Sequence, residues 1–92
     1  MLEFAESSTI MAQAVIISGR VMRVRARWGG GWRVRLTDTG GRLAAAEIRS
    51  THPLSPPPVG TRIVIRGCIR FDEAHDWYTV DPVEEWRQEH PR

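Results

Sequence analysis

Arginines at alternate positions are the plainest chemistry in this sequence. Arg23, Arg25 and Arg27 alternate with Val24 and Ala26, Arg33 and Arg35 with Val34 and Leu36, and Arg66 and Arg70 follow further along. A guanidinium is a planar fork of donors that grips a phosphate bidentately and stacks on aromatic faces, which an ammonium does less well. Trp28 and Trp32 stand either side of Gly29–Gly30–Gly31, and Trp77 follows a polar stretch nearer the C-terminus. Holding a single strand of nucleic acid requires cations that track phosphates and exposed aromatics on which bases stack; the arginines supply the first, and the indoles are candidates for the second. All 13 cationic side chains are arginine, a bias that a GC-rich coding sequence also produces.

Other reactive groups are less organised. Asp72, Glu73, His75 and Asp76 are metal-ligand types, but their spacing fits no ligand motif, and solvated loop acids are the expectation. A nuclease would need carboxylates gathered with arginines around a metal, and these acids are not interleaved with strand positions. His52, His75 and His90 are scattered surface candidates. Cys68 has no histidine near it in sequence, so an inert thiol is expected. No catalytic residue, metal site or cofactor is therefore anticipated, and the chain reads as a non-enzyme.

The net charge of +2 hides an asymmetry. Residues 11–70 carry eleven arginines against Asp38 and Glu47, whereas residues 71–92 carry seven acids against Arg87 and Arg92. A neutral surface would mix acids among those arginines. Either the acidic ends balance the basic body within the molecule, or the tail acids Asp81, Glu84, Glu85 and Glu89 lie on the arginine face and compete with phosphates. With 92 residues there is room for one domain and a thin core. The single cysteine forms no internal bridge, which favours a reducing compartment. Glu3 and Glu6 precede any positive charge, unlike a signal peptide, and no apolar run approaches the roughly 20 residues of a membrane helix. A cytoplasmic protein with no membrane contact is expected.

The arginines need strands to aim them. Val15, Ile17, Gly19 and Val21 alternate with period two, then the parity slips to Val24, Ala26 and Trp28, as a β-bulge near Met22–Arg23 would produce. Continued parity turns Trp28 and Trp32 inward, so capping the barrel mouth competes with base stacking for both. Trp32, Val34 and Leu36 mark a second strand, and Asp38–Thr39–Gly40–Gly41 is hairpin-turn chemistry. Leu43–Arg49 reads as a third strand with Leu43 and Ala45 inward, although its alanines also permit a helix. Pro53, Pro56, Pro57 and Pro58 enforce a stiff loop over residues 50–60. Ile63, Ile65, Gly67 and Ile69 give a fourth strand with Cys68 outward. Trp77–Asp81 gives a fifth, ended by Pro82, with Trp77 outward if Tyr78 and Val80 point in. The remainder would hold a short helical turn, with Trp86 packing back. The divisions are an N-terminal arm over 1–13, with Met11 a second candidate start, a barrel over 14–83 and an acidic tail over 84–92.

Five short strands, the first long and bulged, with glycines in strands one and four, resemble the OB-fold, the oligonucleotide/oligosaccharide-binding barrel. The resemblance is carried by Val15-x-Ile17-x-Gly19-x-Val21-x-x-Val24, Val34-x-Leu36-x-Asp38-x-Gly40, Val59–Gly60 with Ile63-x-Ile65-x-Gly67-x-Ile69, and Trp77–Tyr78-x-Val80. It implies an all-β, five-stranded Greek-key barrel. A proline-rich loop stands in place of the usual helix between strands three and four, leaving the barrel bottom for Trp86 or Phe4 to fill.

Such barrels bind across strands two and three, between the loop joining strands one and two and the loop joining strands four and five, here Arg27–Gly31 and Phe71–Asp76. The resemblance thus implies a non-catalytic module for single-stranded DNA or RNA, of the nucleic-acid-binding type. Its interface would be Arg23, Arg25, Arg27, Trp28, Trp32, Arg33, Arg35, Arg66, Arg70 and Trp77. The competing reading is a protein–protein interaction module or small subunit of a larger complex, and homodimerisation through an edge strand stays open, since fold alone does not settle function.

Overall fold

The computed structural model describes residues 14–89. The N-terminal arm, with Phe4 and Met11, and residues 90–92 lie outside the described residues. Five strands follow in order: β1 (Ala14–Ala26), β2 (Trp32–Asp38), β3 (Leu43–Ile48), β4 (Arg62–Asp72) and β5 (Trp77–Gln88). They close into an all-β, OB-like barrel in the order β1-β2-β3-β5-β4 and back to β1. All neighbours are antiparallel except β3 and β5, which run parallel over three residue pairs, Ala44–Tyr78, Ala45–Thr79 and Ala46–Val80. Among the described residues no helix is long and apolar enough to cross a membrane.

The length of β1 follows from its bulge. Val21 pairs with Leu36 but Arg23 pairs with Arg35, so Met22 is the extra residue where parity slips. The break lets one strand serve two partners, pairing with β4 through Ala14–Arg20 and with β2 through Gly19–Ala26. Bulges sharpen the local bend in this way. The β2–β3 turn is held by Asp38, whose Oδ1 accepts hydrogen bonds from the backbone N–H groups of Gly40 (2.8 Å) and Arg42 (2.9 Å). That carboxylate is therefore spent on the hairpin.

Inward residues from every strand form one core: Val21, Val34, Leu36, Ala46, Ile48, Ile63, Ile65, Val80 and Val83. Full burial of each larger side chain contributes about 1.5–3 kcal/mol. The inward residues of β3 are not those expected. Leu43 is exposed, and Ala46 and Ile48 enter the core. A run of three alanines gives alternation no contrast to register against.

β5 does not stop at Pro82, nor does a helical turn follow. The strand continues to Gln88, pairing Glu85 with Arg66, Trp86 with Ile65 and Arg87 with Val64. The ladder slips between Gly67 and Ile69, where Gly67 pairs with Val83 and Ile69 with Val80. Pro82 falls in that irregularity, where a missing donor breaks no regular rung. Gly67 makes this crossing feasible: a Cβ there would strike the Pro82 carbonyl oxygen and Val80 Cγ1.

Residues 49–61, between β3 and β4, contain no helix. Leu54 from this segment and Trp86 from β5 both pack on the core, and Trp86 Nε1 donates to the Ser55 carbonyl at 2.7 Å. His52 Nε2 lies 2.8 Å from the Glu84 carbonyl. Trp86 thus has the structural role expected of it, and it pins the loop to the last strand.

Candidate nucleic-acid interface

Four arginines meet on the outer face of β1 and β2. Arg23 lies opposite Arg35, and Arg25 opposite Arg33. Like charges directly across a ladder destabilise a sheet, and here two such pairs stand in succession. With His75 from the β4–β5 loop, the four side chains line a depression of about 160 Å³. A larger groove of about 550 Å³ adjoins it, between the residue 27–31 turn and the β4–β5 loop. Arg27, Trp28, Arg49 and Arg70 also reach this groove, as do the carboxylates Glu47, Asp72 and Asp81. Seven arginines against three carboxylates leave an excess of four positive charges across the two concavities.

The carboxylates are each shared. Glu47, only 5% exposed, holds Arg27 Nε at 3.0 Å and Arg33 Nε at 3.2 Å. Asp81 holds Arg49 at 2.6 Å and Arg70 at 3.2 Å. Burial pushes the Asp81 carboxyl up, but the hydrogen bonds and charges of Arg49 and Arg70 outweigh it and hold the group below its ordinary range. The same hydrogen bond, with the charge of Asp81, holds the Arg49 guanidinium above its ordinary value against burial. Among the described residues no carboxylate pairs with Arg23, Arg25 or Arg35.

The Asp81 geometry sets a pH dependence. A carboxyl whose folded pKa lies below its unfolded value of about 3.9 contributes stability that is complete above that value and is lost as pH falls through the folded pKa. Urea unfolding should therefore show the midpoint dropping as acid is added below about pH 4. Asp81→Asn should start lower at pH 7 and drop less. An identical acid dependence in both proteins would remove Asp81 as the cause.

The tryptophans divide differently from the sequence expectation. The strand alternation stops at Ala26, because the chain turns: Arg27 N donates to the Gly31 carbonyl and Gly30 N to the Arg27 carbonyl, both at 3.0 Å. All three glycines have φ between 89° and 110°, a left-handed range that disfavours side chains. A Cβ on Gly31 would also strike the Ile48 carbonyl oxygen. Trp28, expected inward, is lifted out on this turn and is 96% exposed. Trp32 is half-buried and packs against the core.

Trp77 is on the outer face, as parity requires, yet only 8% exposed. The His75 ring stacks on it at 4.8 Å and 8°, and Arg35 Cζ lies 4.9 Å from its centroid. Ala45 and Thr79, aligned with Arg35 across β3 and β5, are small enough for the long side chain to cross. Trp77 is therefore the floor that positions Arg35 and His75, not an open stacking platform. His75 is braced from its other side. Its Nδ1 donates to Asp72 Oδ2 at 3.0 Å, and Ala74 N donates to Asp72 Oδ1 at 3.0 Å. These bonds, the His75 one foremost, hold the Asp72 carboxyl below its ordinary value.

Of the ten anticipated interface residues, Arg66 is set apart. It pairs with Glu85 at 3.2 Å and Glu84 at 3.7 Å on the β4–β5 ladder and lines neither concavity. Those two acids, and Glu89 on Arg62 at 3.5 Å, are engaged away from the cationic patch. The acidic segment thus does not lie on the arginine face over residues 84–89; of the described carboxylates beyond residue 70, Asp72 and Asp81 reach the groove. Arg49 and Glu47 were not singled out from the sequence. Counting register outward from the Asp38 turn would have placed Glu47 opposite Arg33. Among the described residues, no three His, Cys, Asp or Glu side chains gather into a metal-binding group. No protein-family model matches this chain, and no curated protein matches it.

Proposed function

We propose that this groove binds single-stranded nucleic acid, DNA or RNA, as a binding module without chemistry of its own. The observation that carries the reading is the pair of arginine–arginine rungs, Arg23–Arg35 and Arg25–Arg33, with no carboxylate among the described residues on three of the four guanidiniums. Such an arrangement is unfavourable in the protein alone and becomes favourable when phosphates lie along it. Trp28, exposed at the groove's edge on the glycine turn, supplies a face for one base. Base–aromatic stacking is tolerant of sequence, because every base has a π-face.

Titration of a fluorescein-labelled oligothymidylate at low and moderate salt tests this. Binding should be measurable at low salt and fall steeply as salt rises, since phosphate contacts release counterions. Trp28→Ala should weaken binding about five-fold or more while leaving the salt dependence unchanged. Absence of binding at low salt would refute the reading.

A further inference from the structure

A third concavity, of about 460 Å³, continues the first two. His75 lines all three, so the surface runs unbroken from Trp28, over the arginines and past the β4–β5 loop, to the end of the barrel. Beyond His75 the lining changes from cationic to aromatic. Phe71 and Tyr78 are paired across β4 and β5, 44% and 50% exposed, with ring centroids 5.2 Å apart at 68°. Both have the inward parity of Ile69 and Val80, yet they sit where the barrel ends, so their rings face solvent instead of core. Arg42, at the β2–β3 turn, lines the same concavity, with Asp76 of the β4–β5 loop as its one carboxylate among the described residues.

We infer that Phe71 and Tyr78 form a second base-stacking platform, so that a bound strand is held by Trp28 at one end of its path and by this pair at the other. The inference rests on the proposed nucleic-acid reading and adds the course of the strand. Three features commit the surface to further nucleotides of the same strand. It is continuous with the cationic groove through His75, it presents aromatic faces, and Arg42 lies within it to meet a phosphate. Ala44, the register partner of Tyr78, and Ile48, the register partner of Trp32 beside the turn that carries Trp28, bound a β3 segment of four steps, about 13 Å at strand rise. The two platforms are thus more than one base apart, and only a strand of several nucleotides reaches both.

The test uses oligothymidylates of about four and about twelve nucleotides, within the range of site sizes for such barrels. Phe71→Leu combined with Tyr78→Leu keeps apolar bulk and removes both π-faces. The double variant should bind the longer strand about five-fold or more weakly than the parent and the shorter strand equally well. Unchanged affinity for the longer strand, with the parent binding both, would overturn this inference and leave the groove reading standing. An equal loss at both lengths would also overturn it. A parent that binds neither strand would remove the groove reading and this one together. Self-association of the parent that the double variant abolishes, with oligonucleotide affinity unchanged, would assign the patch to a second copy of the chain instead.

Discussion

Gly67→Val is expected to destabilise the barrel by about 3 kcal/mol or more. The site is where β5 crosses β4 closely enough that the first side-chain carbon would meet the Pro82 carbonyl oxygen, Val80 Cγ1 and, at 3.2 Å, Val83 Cα. Two of those three atoms are backbone, which has no rotamer to retreat into. Relief would require parting the strands over the segment that brings Val80 and Val83 into the core. A chain this size holds roughly 5–14 kcal/mol in total, so the change removes a large share. Urea unfolding followed by tryptophan fluorescence reads it directly. A midpoint unchanged from the parent would show that the strand crossing tolerates a side chain and does not depend on glycine.

The second large effect separates binding from folding. Arg23→Glu with Arg25→Glu should lower affinity for a single-stranded oligonucleotide on the order of 100-fold at low salt. The salt dependence should flatten, by about 0.7 in slope for each phosphate no longer neutralised. Neither arginine holds a carboxylate among the described residues, so no internal ion pair is broken. The two like-charged rungs become opposite-charged rungs with Arg35 and Arg33, and stability should rise by a few tenths of a kcal/mol up to about 1 per rung. Opposite signs for the two effects make the result decisive, because unfolding cannot mimic weaker binding in a more stable protein. Unaltered oligonucleotide affinity would exclude the rungs from the interface.

Much of the barrel was legible because its strands contrast apolar with charged residues. The bulge at Met22 announces itself as a parity slip between Val21 and Val24, and the fourth strand as isoleucine alternating with arginine. Legibility failed where contrast or convention failed. Ala44, Ala45 and Ala46 look alike from either face. Pro82 reads as a stop, yet the ladder has no regular rung there for it to spoil. In the groove, the arginines of β1 and β2 were readable from spacing alone. The tryptophans were not, since exposure depends on what lies above the sheet: a turn lifts Trp28 out, while His75 and Arg35 cover Trp77. Arg66 shares the alternation of the others but finds Glu84 and Glu85 across a strand the sequence did not extend that far.

The parallel join between β3 and β5 has a kinetic consequence. Its three rungs link residues 34 positions apart, so closing the ring must overcome chain entropy before few hydrogen bonds reward it. Such late, non-local zippering places refolding toward the millisecond-to-second range. Arg35 and His75 come from the two hairpins that this seam stitches together, and both rest on Trp77. An oligonucleotide lying across them would act as a clasp, and its occupancy would be felt as a closed ring stabilised by mass action.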